Sequence, residues 1–133
     1  MNLERLLKKI ERNKQSENEQ KTFPLTVGDE TYEIKTLTRA KKREFLYMNE
    51  IGRGNLTIGD FVKKSIPYIY QSVVGLKELA QKAKFNNLIV KYHDVVEYLF
   101  EPDEIIQIVA FMTEINNISP KQVEEDVEQL KKP

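Results

Sequence analysis

Residues 23–38, FPLTVGDETYEIKTLT, decide the fold. Phe23, Leu25 and Val27 alternate with polar neighbours, and so do Tyr32 and Ile34. Alternation of this kind is the mark of a half-buried strand. Gly28, Asp29 and Glu30 supply a turn between the two arms, so the stretch reads as a β-hairpin over 23–35. Pro24 suits an edge strand, because it has no N–H to give a ladder. Thr38 is a good N-cap and opens a helix through about Glu50 with Phe45, Leu46 and Met48 among its apolar positions. The chain therefore leaves its sheet almost as soon as it has made one.

Everything downstream reads as helix. Gly52 and Gly54 end the first helix, and Thr57 caps a second that carries Phe61 and Val62 toward Pro67, where it must kink or stop. Residues 66–76, IPYIYQSVVGL, combine strand-like composition with helical flanks. A short helix is predicted from Leu76 to Ala83. Another is predicted from Leu88 to Phe100, with Leu88, Tyr92, Val95, Val96 and Leu99 as its stripe. Pro102 sits at a first helical position, with Asp103 and Glu104 matching the dipole of a helix that runs to about Asn116 and turns Ile105, Ile108, Val109 and Met112 to the core. Ser119 and Gln122 form a capping-box pattern before a last helix with Val123, Val127 and Leu130. The expected class is α+β, mostly α: a hairpin followed by a bundle of about five helices.

Upstream of the hairpin, Leu3, Leu6, Leu7 and Ile10 make one stripe of a short amphipathic leader helix over residues 2–12. Residues 13–22, NKQSENEQKT, hold no apolar side chain and read as a polar linker. The organisation expected is a leader helix (1–12), a linker (13–22) and one domain (23–133). Such a short helix is marginal alone in water and should fold when docked on its own domain or on a partner.

Composition narrows the function. The chain has 133 residues, enough for one domain, and is 40% hydrophobic and 32% charged. Lys plus Arg and Asp plus Glu are 21 each, so no overall charge draws it to nucleic acid. No cysteine is present, which removes disulfides, thiol catalysis and Cys-ligated zinc. The longest apolar stretch is broken by Pro67, Gln71 and Ser72, short of the roughly 20 residues that span a bilayer. The charged N-terminus lacks a signal-peptide pattern, and a cytoplasmic protein is expected. Charge is uneven along the chain: residues 35–91 hold 12 basic and 4 acidic side chains, residues 101–133 hold 3 and 8.

Few residues suggest chemistry. His93, the single histidine, has only Asp94 and Glu97 near it on a helix, and reads as structural. Gly52-Arg53-Gly54-Asn55 lacks the phosphate-loop pattern and reads as a helix–helix connection. No pair of carboxylates stands out, and no cofactor, metal or enzymatic role is expected. Two sets of partner-binding candidates remain. One is the leader stripe Leu3, Leu6, Leu7 and Ile10, suited to helix-in-groove binding of another chain or of a second copy. The other is the basic cluster Arg39, Lys41, Lys42 and Arg43.

The order of parts resembles a known family. The hairpin exit Tyr32-Glu33-Ile34-Lys35-Thr36-Leu37-Thr38 runs straight into a helix, and Leu99-Phe100-Glu101-Pro102-Asp103-Glu104-Ile105 opens another that ends in Phe111–Ile118, FMTEINNI. This resembles the tail-assembly chaperones of long-tailed phages and prophages, in particular the XkdN-like group, over residues 23–118. The resemblance implies a non-enzymatic protein that binds the tape-measure protein, keeps it soluble and helps recruit tail-tube subunits. It implies action in the host bacterial cytoplasm and absence from the mature virion. In many phages such proteins are extended by a frameshift, for which Lys131-Lys132-Pro133 is a candidate site. Self-association is compatible with this reading; membrane and nucleic acid are not expected partners. The alternatives are a generic protein-binding adaptor, or a nucleic-acid-binding regulator using the basic 35–64 segment.

Overall fold

The computed structural model describes residues 1–51 and 57–117. The glycine-rich connection 52–55 and the helix expected after Ser119 lie outside the described residues. The order is α1 (Leu3–Gln15), β1 (Thr22–Val27), β2 (Glu30–Lys35), α2 (Arg39–Ile51), α3 (Ile58–Ser72), α4 (Leu76–Phe85), α5 (Asp94–Leu99) and α6 (Pro102–Asn117). The α+β class, mostly α, is as expected: a two-stranded hairpin with helices after it.

β1 and β2 pair antiparallel with Val27 opposite Glu30 and Thr22 opposite Lys35, leaving a two-residue loop of Gly28 and Asp29. Gly28 adopts φ +62, and a Cβ there would stand 3.2 Å from the Glu104 carboxylate. Turn conformation and close approach to α6 both call for glycine. Alternate pairs in such a ladder exchange no hydrogen bonds. Thr26 and Thr31 form one cross-strand pair, with their hydroxyls 2.9 Å apart. Pro24 and Glu33 form another, with Pro24 on an edge where its missing donor breaks no ladder bond, and the Glu33 carbonyl accepts the Val74 N–H at 2.9 Å. Phe23, Leu25, Tyr32, Val27 and Ile34 turn inward, the last two fully buried.

α6 is the core's spine. Ile105, Ile108, Val109, Met112 and Ile115 are all buried along one side, at the helical spacing expected of a core-facing stripe. Its start follows a capping logic: Glu101 N–H donates to the Glu104 carboxylate three residues on, at 2.9 Å, and Pro102 takes the first helical position. Near its end Asn116 is buried among apolar side chains. Its Oδ1 accepts the Leu37 N–H and its Nδ2 donates to the Met112 carbonyl, each at 2.8 Å. The buried amide thus pins the strand exit to α6.

One expectation is narrowed and two need correction. Of the kink or stop expected at Pro67, the stop does not occur, and α3 continues to Ser72. Proline removes one helical N–H, from the Lys63 carbonyl, while Ile66 and Ile69 on either side are buried and Phe45 packs its ring 5.5 Å from that of Tyr68. Packing outweighs the lost bond. The strand-like composition of 66–76 is used at Val73, which leaves the helix in extended form and bridges to Ile34.

The helix expected over 88–100 is confined to Asp94–Leu99. α4 ends at Asn86 and Asn87; Asn87 takes φ 59, Leu88 N–H donates to the Ala83 carbonyl (2.9 Å) and Asn87 N–H to that of Lys84 (3.0 Å). This is a Schellman stop, made with asparagine in place of glycine. Of the stripe expected there, Val95 and Val96 are buried, while Leu88, Tyr92 and Leu99 are exposed. Finally, α1 runs to Gln15, three residues into the expected linker. Asn2 caps it through Arg5 N–H (3.1 Å), and Arg12 and Lys14 in the last turn suit the dipole.

Two buried polar groups make opposite predictions. Asn116→Ala orphans the Leu37 N–H and should cost about 2–3 kcal/mol in urea denaturation. The Ser72 hydroxyl is buried without a hydrogen-bond partner among the described residues. Ser72→Ala should therefore be neutral or stabilising by up to about 1 kcal/mol. A neutral Asn116→Ala would show that the amide clamp carries no weight.

Candidate protein-binding surface

The residues picked out from sequence lie on α1 and α2, and the chain just after α1 meets the start of α2. α1 buries none of its residues. Leu3, Leu7 and Ile10 are 64%, 59% and 63% exposed, and Leu6 is half-buried. A helix of this length gains little by itself in water and normally draws its stability from a buried apolar face. Here three of the four apolar side chains of that face stay exposed among the described residues. Wholly burying all four side chains would return about 6–12 kcal/mol gross.

The polar stretch after α1 is fastened down. Glu17 carbonyl accepts the Arg39 N–H (2.9 Å), and Lys21 carbonyl accepts that of Thr36 (2.7 Å). Thr36 answers with its own acceptors: its hydroxyl takes the Lys21 N–H (2.9 Å) and its carbonyl the Gln20 side-chain amide (2.8 Å). The polar linker expected over 13–22 thus has its second half tied to the domain by hydrogen bonds. Polar side chains say that a segment is not core; they do not say where its backbone hydrogen bonds go.

This strap joins the two candidate sets. The C-terminal end of α1 and the start of α2 border a cleft of about 300 Å³ lined by Asn13, Ser16, Leu37, Arg39, Lys42 and Asn116 among others. Arg39, Lys41 and Arg43 are exposed and Lys42 is half-buried. Arg39, Lys41 and Lys42 sit in the first turn or so of α2, which holds no acidic residue in its first turn. Cations there oppose the helix dipole, so the cluster gives α2 no help in folding. Among the described residues, Lys41 alone of the four makes an ion pair, with Glu44 at 3.3 Å, an exposed contact of small worth. Lys14 and Glu17 make a similar pair at 3.2 Å across the end of α1.

His93 is exposed, with its ring 4.6 Å from that of Tyr70. No trio of His, Asp or Glu among the described residues is arranged to hold a metal ion. No helix among them is long and apolar enough to cross a membrane. Among the described residues the shifted ionisations lie elsewhere, at three tyrosines. Burial pushes the phenols of Tyr32, Tyr68 and Tyr70 above their ordinary value, helped by Glu30 and Glu104 at Tyr32 and by Glu44 at Tyr68.

Sequence reasoning missed two groups here. Asn116 stands four residues after Met112, on the core stripe of α6, and a polar residue at an apolar position was the available signal. Thr36 had none, since its role is to accept hydrogen bonds from a segment 15 residues away. Compared with known proteins, the chain matches no family model, no curated protein and no solved structure.

Thr36→Val removes the hydroxyl that holds Lys21. Hydrogen exchange of the Lys21 amide should quicken, with a global loss of only about 0.5–1.5 kcal/mol. Unchanged exchange at Lys21 would mean the strap does not depend on that bond. The tyrosines set a limit at high pH. Their neutral forms are favoured in the fold, so this part of the stability is whole below the unfolded value of 10.0 and is lost as pH rises through the raised folded values. Urea midpoints taken from about pH 9 to about pH 11.5 should fall, and a flat profile would contradict the assignment.

Proposed function

We propose that this protein is a tail-assembly chaperone of a long-tailed phage or prophage, similar to the XkdN-like group, which binds the tape-measure protein and helps recruit tail-tube subunits. It acts without catalysis, in the host cytoplasm, and leaves before the virion is complete. The observation that carries the reading is the exposure of Leu3, Leu7 and Ile10 on α1, a helix whose C-terminal strap is fastened to the domain. A tape-measure protein presents long amphipathic helices whose apolar faces need cover until the tube surrounds them. A second amphipathic helix is a fitting cover, because apolar side chains at helical spacing interdigitate along a shared seam. The hairpin leading into α2 and the Pro102 start of α6 are the two segments on which the family resemblance rests, which supports the same reading.

The gross gain from the stripe exceeds what a weak complex needs, once part of it is offset by the lost freedom of two chains. Recruitment and release are both served better by an interaction of that middling size than by a permanent one.

Co-expression with the tape-measure protein of the same genome tests the proposal. The tape-measure protein should become soluble and co-purify. Leu7→Asp and Ile10→Asp, both at exposed positions, should weaken capture by about tenfold or more while circular dichroism stays unchanged. A tape-measure protein that remains insoluble and unbound would sink the chaperone reading. Retention on DNA that falls steeply with salt would point instead to the basic 35–64 segment.

A further inference from the structure

A second apolar surface lies away from α1, in the connection between α4 and α5. Phe85, Leu88 and Val90 are 87%, 69% and 80% exposed, and Tyr92 is exposed beside them. The connection is built to hold them out. The Schellman stop at Asn87 reverses the chain. Ile89 is buried and anchors the loop, so its neighbours Leu88 and Val90 face away from the core. The Asp94 carboxylate accepts the Lys91 N–H (2.9 Å), and the Lys91 carbonyl accepts that of Asp94 (3.0 Å), closing the loop. Lys84 Nζ stands 4.4 Å from the centre of the Tyr92 ring. An ordered loop that exposes its aliphatic residues is preorganised for contact, since little freedom is lost on binding.

Shape and charge specify the occupant. Beside the loop, Glu78, Gln81, Lys82, Phe85 and Asn86 form a shallow, open surface along one side of α4. Positions 78, 81, 82 and 85 form one side of α4, so a helix can lie along it and reach Phe85. Residues 79–93 contain Lys82, Lys84 and Lys91 and no acidic side chain. Glu78 and Asp94 flank this run, and the Asp94 carboxylate is held on the Lys91 N–H. A second copy would set lysines against lysines, which disfavours self-docking through this face. Leu88 and Val90 offer aliphatic surface rather than a stacking platform, which favours protein over nucleic acid.

We propose that the 85–92 loop and the adjoining side of α4 form a second docking face, for an amphipathic helix of another protein whose apolar stripe is bordered by carboxylates. This face is separate from α1, and its existence does not depend on the tape-measure reading.

The test uses the full chain, isotopically labelled, and two designed helical peptides of roughly 18 residues, one with a leucine stripe flanked by glutamates and one with lysines in their place. The glutamate peptide should shift the backbone amide signals of residues 82–92, leave those of 3–15 in place, and bind about tenfold or more tightly than the lysine peptide. Leu88→Asp and Val90→Asp should each lower its affinity by about tenfold, and their high exposure leaves the fold intact. Equal binding of the two peptides, or an absence of shifts in 82–92, overturns the proposal. So does a Leu88→Asp-sensitive interaction with phosphatidylglycerol vesicles, with oligo(dT) or with a second copy in place of the glutamate peptide.

Discussion

The buried amide of Asn116 ties the two ends of this fold together. It gives its acceptor to Leu37, at the exit of the hairpin, and a donor to Met112, one turn back in its own helix. An unpaired amide at that depth would cost more than most single apolar contacts contribute, so the geometry around it is closely constrained. With Leu37 held there, Thr36 is presented to the strap from α1, and Thr38 is placed to start α2. That side chain joins the packing of β1 and α2 against α6 and the Gln107 bond to the Thr26 carbonyl in setting the hairpin and the first bundle helix relative to α6.

That constraint bears on function through α1. Leu3, Leu7 and Ile10 of the helix stay exposed, and the strap holds its end to the domain: Glu17 on Arg39, and Lys21 on Thr36. An apolar stripe held by its end, rather than by its face, keeps the face for something else. The same division between backbone anchoring and side-chain presentation recurs at the α4–α5 connection. There Ile89 and the Asp94 carboxylate fix the loop, and Phe85, Leu88 and Val90 are turned to solvent. Both surfaces combine apolar side chains with lysines. Contact of this kind draws affinity from the apolar part and choice of partner from the charge.

Local rules account for most of the elements. The alternation of Phe23, Leu25 and Val27 foretold the inward face of β1, and Gly28-Asp29 the loop. Thr57 caps α3 through the Asp60 N–H, as its type suggests. Pro102 and its acidic neighbours open α6. The misreadings came where one rule competed with another. At Pro67 the missing donor argued for an end, but Ile66 and Ile69 are buried on either side and the helix persists. At 86–93 a helical stripe of Leu88 and Tyr92 was overridden by the Asn86-Asn87 stop, whose left-handed residue ends a helix whatever the apolar spacing beyond it. Of the candidate site, the stripe residues were legible as a stripe. Their exposure was not, because periodicity reports that a helix has an apolar face and is silent on what covers it.

By itself, then, the amino-acid sequence determined the hairpin, the helical character of the described residues beyond it, the amphipathic form of α1 and the lack of any thiol chemistry. Each of these depends on residues within a turn or two of one another, or on composition. Tertiary structure alone decided that the polar stretch after α1 is strapped to Thr36 and Arg39, that Leu3, Leu7 and Ile10 of α1 stay exposed, that Asn116 sits in the core, and that Leu88 and Val90 face outward. Those outcomes depend on groups brought together across long separations, 79 residues in the case of Leu37 and Asn116. Hydrogen bonds of that kind leave no periodic trace in the chain, since each requires only one donor and one acceptor to meet in space.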